Sequence, residues 1–288
     1  MQAISFGLFL AMCQLVATQT TGNCSTQYLN STSYEDDLTH INATGTTSFT
    51  LQQLTGNDQP WYYYVTLTEG GRQGNSSDVL IHPWLGVPES FLNTAQANET
   101  RVCMYTMAAQ DKGLTNKDGN QTCAGILSDK CVKSVVSSAN ALSRSGGCPG
   151  IDPDKDCPSG GYFASMSVAL SMATSCYHTS LPGVDMPKGY VAMSFAGIGN
   201  SDGVAPGNFS GYDKAVRQSV PSFLKFIQTT VQPDKNTTLS RIAAAQAVCG
   251  IPNQVRQGSR PVNSLGGKVE FSMLTASVVA MSLLFCFM

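Results

Sequence analysis

Histidines and acids limit the proton chemistry open to this chain. His40, His82 and His178 are its only imidazoles, and residues 19–264 hold just four glutamates, Glu35, Glu69, Glu89 and Glu99. Glycoside hydrolysis needs two facing carboxyl groups, one of them with a raised pKa. Glu35 stands in a polar run with Asp36 and Asp37, and Glu99 lies inside Asn98-Glu99-Thr100, so neither has the setting of a buried acid. The serine-nucleophile pattern Gly-x-Ser-x-Gly is missed by one place, since Gly207-Asn208-Phe209-Ser210-Gly211 carries its serine fourth. His178 has no serine or cysteine at a spacing that nominates a partner, so it reads as a structural histidine. Asp152, Asp154 and Asp156 alternate and offer carboxylate oxygens to calcium. The helix-loop-helix calcium pattern then asks for Gly and a late Glu, where this chain has Cys157 and Phe163. These aspartates are the weak calcium candidates of a segment that reads as a solvated acidic loop. No catalytic residue, cofactor or further metal ligand is expected.

Cysteine and asparagine carry the stronger signals. The chain opens on an apolar run, Ile4 to Met12 and Leu15 to Ala17, with small residues at Ala17-Thr18. That is the form of a secretory signal peptide, residues 1–18. The stretch from Phe271 to Met288 holds no charge and follows Lys268-Val269-Glu270 and the small residues Ser264-Leu265-Gly266-Gly267. Small site, polar spacer and apolar end form the signal for a glycosylphosphatidylinositol (GPI) anchor. Ser264 is the expected attachment residue and 265–288 the segment removed. The alternative is a single-span type I membrane glycoprotein, but such a span is ordinarily followed by Lys or Arg, and none follows here.

Removal of both ends takes Cys13 and Cys286 away. It leaves Cys24, Cys103, Cys123, Cys131, Cys148, Cys157, Cys176 and Cys249, an even set that predicts four disulfides in a secreted chain. About a hundred connectivities are open, and sequence alone does not choose among them. No Cys-x-x-Cys pair points to zinc. Asn-x-Ser/Thr acceptors occur at Asn23, Asn30, Asn42, Asn75, Asn98, Asn120, Asn208 and Asn236, none with Pro in the middle. On a secreted chain these are N-glycosylation sites, and they map exposed positions.

Positioning elements can be read around these residues. Residues 20–58 form a polar extended segment tied at Cys24, with a short strand near Ser48–Leu54. Trp61 to Thr68 is a strand with Trp61, Tyr63, Val65 and Leu67 on one face. Its ring run, Trp61-Tyr62-Tyr63-Tyr64, puts two tyrosines on the other face. A sugar-binding strand is one reading, and tyrosines packed under loops the preferred one. Residues 69–78 and 197–211 read as Gly/Asn/Ser loops that a binding surface would use, and 101–107, 163–170 and 190–196 as strands. A helix is predicted over 123–143, with Leu127, Cys131, Val135, Ala139 and Leu142 on one face. Cys123 and Cys131 on that helix would stand roughly 12 Å apart, beyond the about 7 Å a disulfide allows, so they would pair elsewhere. Residues 216–231 and 241–249 suit helix or strand equally. The expected fold is a β-rich α+β domain, an antiparallel sheet or sandwich with one amphipathic helix, disulfide-stapled, over residues 19–264.

Only 12% of residues are charged, and Lys plus Arg number 17 against 19 Asp plus Glu. That balance lacks the basic footprint of a nucleic-acid binder. Trp61-Tyr62-Tyr63, Val102-Cys103-Met104-Tyr105, Cys123 with Leu127-Ser128 and Cys131, Tyr212-Asp213, Pro221, Val248-Cys249-Gly250-Ile251-Pro252-Asn253 and Gly258-Ser259-Arg260-Pro261 occur in this order. The arrangement resembles the secreted, GPI-anchored, cysteine-rich surface proteins of filamentous ascomycete fungi. That resemblance implies an extracellular setting, at the plasma membrane or in the wall, and carries over no catalytic residue. The expected function is non-catalytic: wall structure, adhesion or recognition, with the membrane as partner through a lipid anchor and a wall polysaccharide or another protein as ligand. A wall-modifying carbohydrate-active enzyme is the alternative.

Overall fold

A computed structural model describes residues 40–69, 79–107, 123, 125–137, 148–151, 157, 163–171, 177–195, 197–200, 210–232, 237–257 and 259. In chain order these form β1 (Ile41–Thr50), α1 (Gln52–Thr55), β2 (Pro60–Glu69), β3 (Val79–Pro88), α2 (Glu89–Leu92), α3 (Ala95–Asn98) and β4 (Thr100–Met107). There follow α4 (Asp129–Ser137), β5 (Phe163–Ala169), β6 (Tyr177–His178), β7 (Tyr190–Ser194), β8 (Ile198–Asn200), α5 (Ser210–Ala215), β9 (Val220–Gln232), β10 (Thr237–Gly250) and β11 (Gln254–Val255). The first sheet has strand order β11-β1-β2-β3-β7-β6, with β8 pairing β3, and the second has order β10-β9-β4-β5. The described pairings are all antiparallel.

Period-two alternation in β2 builds the core. Trp61, Tyr63, Val65 and Leu67 are buried and share one cluster with Val102 and Met104 of β4 and Leu224 and Phe226 of β9. The two sheets therefore pack face to face as a sandwich. Trp61 meets Phe226 edge-on at 5.3 Å and Phe91 at 5.2 Å. Burying each such large side chain contributes about 1.5–3 kcal/mol. A buried chain of hydroxyls sits between the sheets: the Tyr63 hydroxyl is 2.8 Å from Ser222 Oγ, which in turn donates to Thr106 Oγ1 at 3.1 Å.

The opposite face of the second sheet is covered as well. Cys103, Tyr105, Met107, Phe223 and Ile227 pack under Leu127, Cys131, Val135 and Cys157, so α4 and its flanking turns form a third layer. Three disulfides hold that layer: Cys103–Cys148, Cys123–Cys249 and Cys131–Cys157. The fold is β-rich α+β and disulfide-stapled. Cys24 and Cys176 lie outside the described residues.

Several local expectations are corrected. The helix predicted over 123–143 starts at Asp129 and is described to Ser137. Gly125 has φ 76°, and Cys123 accepts from Ile126 N and Leu127 N in a separate turn. Ser128 then caps the helix, its Oγ accepting from Cys131 N at 3.1 Å. Residues 138–143 lie outside the described residues. The strand expected at Ser48–Leu54 is instead the end of β1 followed by α1, which Gly56 stops at φ 70°.

The ambiguous 241–249 stretch is strand β10. Its alanines pair with β9, and Cys249 is bridged to Cys123, so tertiary pairing overrides helix propensity. The 216–231 stretch is strand from Val220 onward. Pro221 is tolerated because the β4 ladder begins only at Ser222. The loop expected over 197–211 contains β8 and the first turn of α5.

Strand β3 was not anticipated, since Pro83, Gly86 and Pro88 punctuate it. Its neighbouring lane is split into β7 and β8, and the split lies beside Pro83, whose ring nitrogen has no hydrogen to donate.

Candidate functional site

Aromatic and imidazole rings gather on the outer face of the first sheet. Tyr62 and Tyr64 of β2 stand two residues apart on one face and stack, with ring centroids 5.9 Å apart and planes 2° apart. Tyr190 of β7 meets Tyr62 edge-on at 5.0 Å and donates its hydroxyl to Pro60 O at 2.8 Å. Trp84 of β3 donates Nε1 to Thr66 Oγ1 at 3.0 Å and packs at 90° on His178, 5.3 Å away. His82 lies 6.4 Å from the same indole. Burial holds the His82 pKa down at about 4, so its ring is neutral at ordinary pH. Gly86 makes the array fit: a Cβ there would meet the Tyr64 ring at 2.7 Å.

Much of this face is covered by chain. Residues 179–189 leave the sheet after β6, cross its outer surface and return at β7. Leu181, Val184 and Met186 pack on Tyr62, Tyr64, Trp84 and Ala192. The crossing reaches β1, where Thr44 Oγ1 donates to Gly183 O at 3.1 Å. Two glycines of the crossing take positive φ, 76° at Gly183 and 81° at Gly189. Tyr64 is fully buried, and no described residue hydrogen-bonds its hydroxyl. Its pKa is raised by burial first, then by Tyr62, Tyr190 and the Asp185 carboxylate. The outward tyrosines of the ring run thus pack under a loop, and Tyr62 alone of the pair keeps partial exposure.

A second buried ionisable group lies under the disulfide layer. Lys225 of β9 is opposite Cys103, with Nζ 5.8 Å from the Tyr105 ring centroid, and burial lowers its pKa. Tyr105 donates its hydroxyl to Pro149 O at 2.7 Å, next to Cys148.

Glu89 and Glu99 are exposed at helix ends, and Asp58, Asp129 and Asp185 are exposed too. Among the described residues no group of three His, Cys, Asp or Glu is placed to hold a metal. Asp152, Asp154 and Asp156 lie outside the described residues. So do Asn23, Asn30, Asn75, Asn120, Asn208, Asn236, Ser264 and both apolar ends. Two glycosylation acceptors are described. Asn98 is exposed at the end of α3, and Asn42 is half-buried at a bulge between Ile41 and Ala43 in β1. Among the described residues no helix is long and apolar enough to cross a membrane.

The covered ring array was legible only in part. The Tyr62/Tyr64 period was visible, but Trp84, His82 and the crossing segment that joins them to it were not singled out. A Gly-flanked apolar Leu181-Pro182-Gly183-Val184 beside Met186-Pro187 was the available signal. Comparison with protein-family models, with curated proteins and with solved structures finds no match to this chain.

Proposed function

We propose that this chain is a non-catalytic extracellular glycoprotein, held at the cell surface or in the wall by a GPI anchor and binding a wall polysaccharide or a partner protein. The observation that carries the reading is the covalent stapling of one layer by three disulfides, bonds that form and persist in the secretory path. Two exposed or half-exposed glycosylation acceptors, Asn98 and Asn42, agree with passage through that path. A non-catalytic role fits the exposure of Asp58, Glu89, Glu99, Asp129 and Asp185, since an acid with a raised pKa needs burial.

Incubating the purified protein with an array of wall polysaccharides tests it. The expected result is retention on at least one polymer with chain lengths unchanged. Cleavage or transfer products that vanish on replacing one Asp would establish the enzyme alternative.

A further inference from the structure

The segment crossing the first sheet has the construction of a lid. It is anchored in the sheet at both ends, takes left-handed glycine conformations at Gly183 and Gly189, and is held at its far side by the Thr44 hydroxyl on Gly183 O. What it covers is a row of rings that includes the Tyr64 phenol. The Tyr64 hydroxyl is buried with no hydrogen-bond partner among the described residues, a state that costs free energy unless something else satisfies it.

We propose that residues 181–189 open as a lid and that the groove beneath, floored by Tyr62, Tyr64 and Trp84, takes a neutral sugar ring. This rests on the wall-polysaccharide reading above and assigns it a place. The ligand class follows from the groove. The ring faces and edges offer apolar contact to the C–H groups of a pyranose, and the Tyr64 hydroxyl exchanges a hydrogen bond with a ring hydroxyl. Asp185, exposed on the lid and close enough to act on Tyr64, supplies an acceptor for a second hydroxyl. The side chains that pack at the floor, Tyr62, Tyr64, Trp84, Leu181 and Ala192, are uncharged, which suits a neutral ring. Gly86 leaves the floor flat at the point where a side chain would push Tyr64 up.

The test uses the full glycosylated chain and soluble linear glucose oligosaccharides as probe. Hydrogen exchange followed by mass spectrometry should show residues 181–189 exchanging at least tenfold faster than 61–67. The lid should be slowed by the probe and speeded by Leu181→Ala, which removes a 3% exposed anchor. Tyr64→Phe should weaken probe binding at least tenfold while Tm stays level or rises, because an unsatisfied buried hydroxyl is removed. Exchange of 181–189 as slow as that of 61–67 in both wild type and Leu181→Ala overturns the lid. Wild-type-like binding by Tyr64→Phe overturns the groove and leaves the wall-binding reading standing. Failure of the wild-type protein to bind any glucose oligosaccharide overturns the ligand, and the polymer array then reports separately on that wider reading.

Discussion

Cys123 is bonded to Cys249, joining a turn of the covering layer to the last residues of β10 across 126 positions of chain. The bond closes the disulfide layer over the second sheet and fixes the point where the chain leaves that sheet for β11 in the first. Gly250 and Gly45 serve the same crossing. A Cβ at Gly250 would meet the Tyr63 ring at 2.9 Å, and one at Gly45 would strike Ile251 O.

Replacing Cys123 and Cys249 together by Ala should therefore destabilise the domain by about 3–5 kcal/mol, the scale set by closing a loop of this length. Urea unfolding with an unchanged m-value checks it. A loss below about 1 kcal/mol would mean that the other two bridges already order this layer.

Six of the eight cysteines expected in the mature chain pair as described, which leaves Cys24 and Cys176 as each other's expected partner. Peptide mapping without reduction should find four bridges and no thiol open to alkylation. Labelling of either residue contradicts this.

Acid should weaken the fold through His82. Its folded pKa of about 4 lies below the ordinary value of 6.5, so the folded state binds fewer protons between these pH values. Stability is then fully present above pH 6.5 and falls as pH drops towards 4, by about 3 kcal/mol in all. His82→Gln should flatten that part of the stability profile. An unchanged slope would assign the acid sensitivity to other groups.

Gly86→Ala should cost about 1–3 kcal/mol, because the new methyl group drives into the Tyr64 ring and the overlying segment must shift with it. Thermal unfolding measures it. A neutral result would mean that the ring moves freely.

How far sequence reaches is plain from these positions. The Trp61, Tyr63, Val65, Leu67 alternation was readable because a half-buried strand imposes a period of two, and all four side chains are buried. Strand β3 was not readable, because Pro83 and Pro88 look like breaks until the split between β7 and β8 is seen to spare Pro83 a hydrogen bond. Alanines 243–245 and 247 favour helix locally, and only the partner strand and the Cys249 bridge decide otherwise. The cover over Tyr64 comes from residues more than a hundred positions away, which no local pattern reveals. Disulfide partners are illegible for the same reason: only Cys123 with Cys131 was set aside, on a helix that turns out not to include Cys123, and the rest stayed open.

The central claim is that the chain is anchored at the cell surface through a lipid at its processed C-terminus. The direct measurement is mass spectrometry of the C-terminal peptide of protein released from cells by a phosphatidylinositol-specific phospholipase. The account predicts release, with a peptide ending at Ser264 and bearing the ethanolamine-linked glycan of the anchor. Protein that needs detergent for extraction and still contains residues 271–288 would contradict it and establish a membrane span.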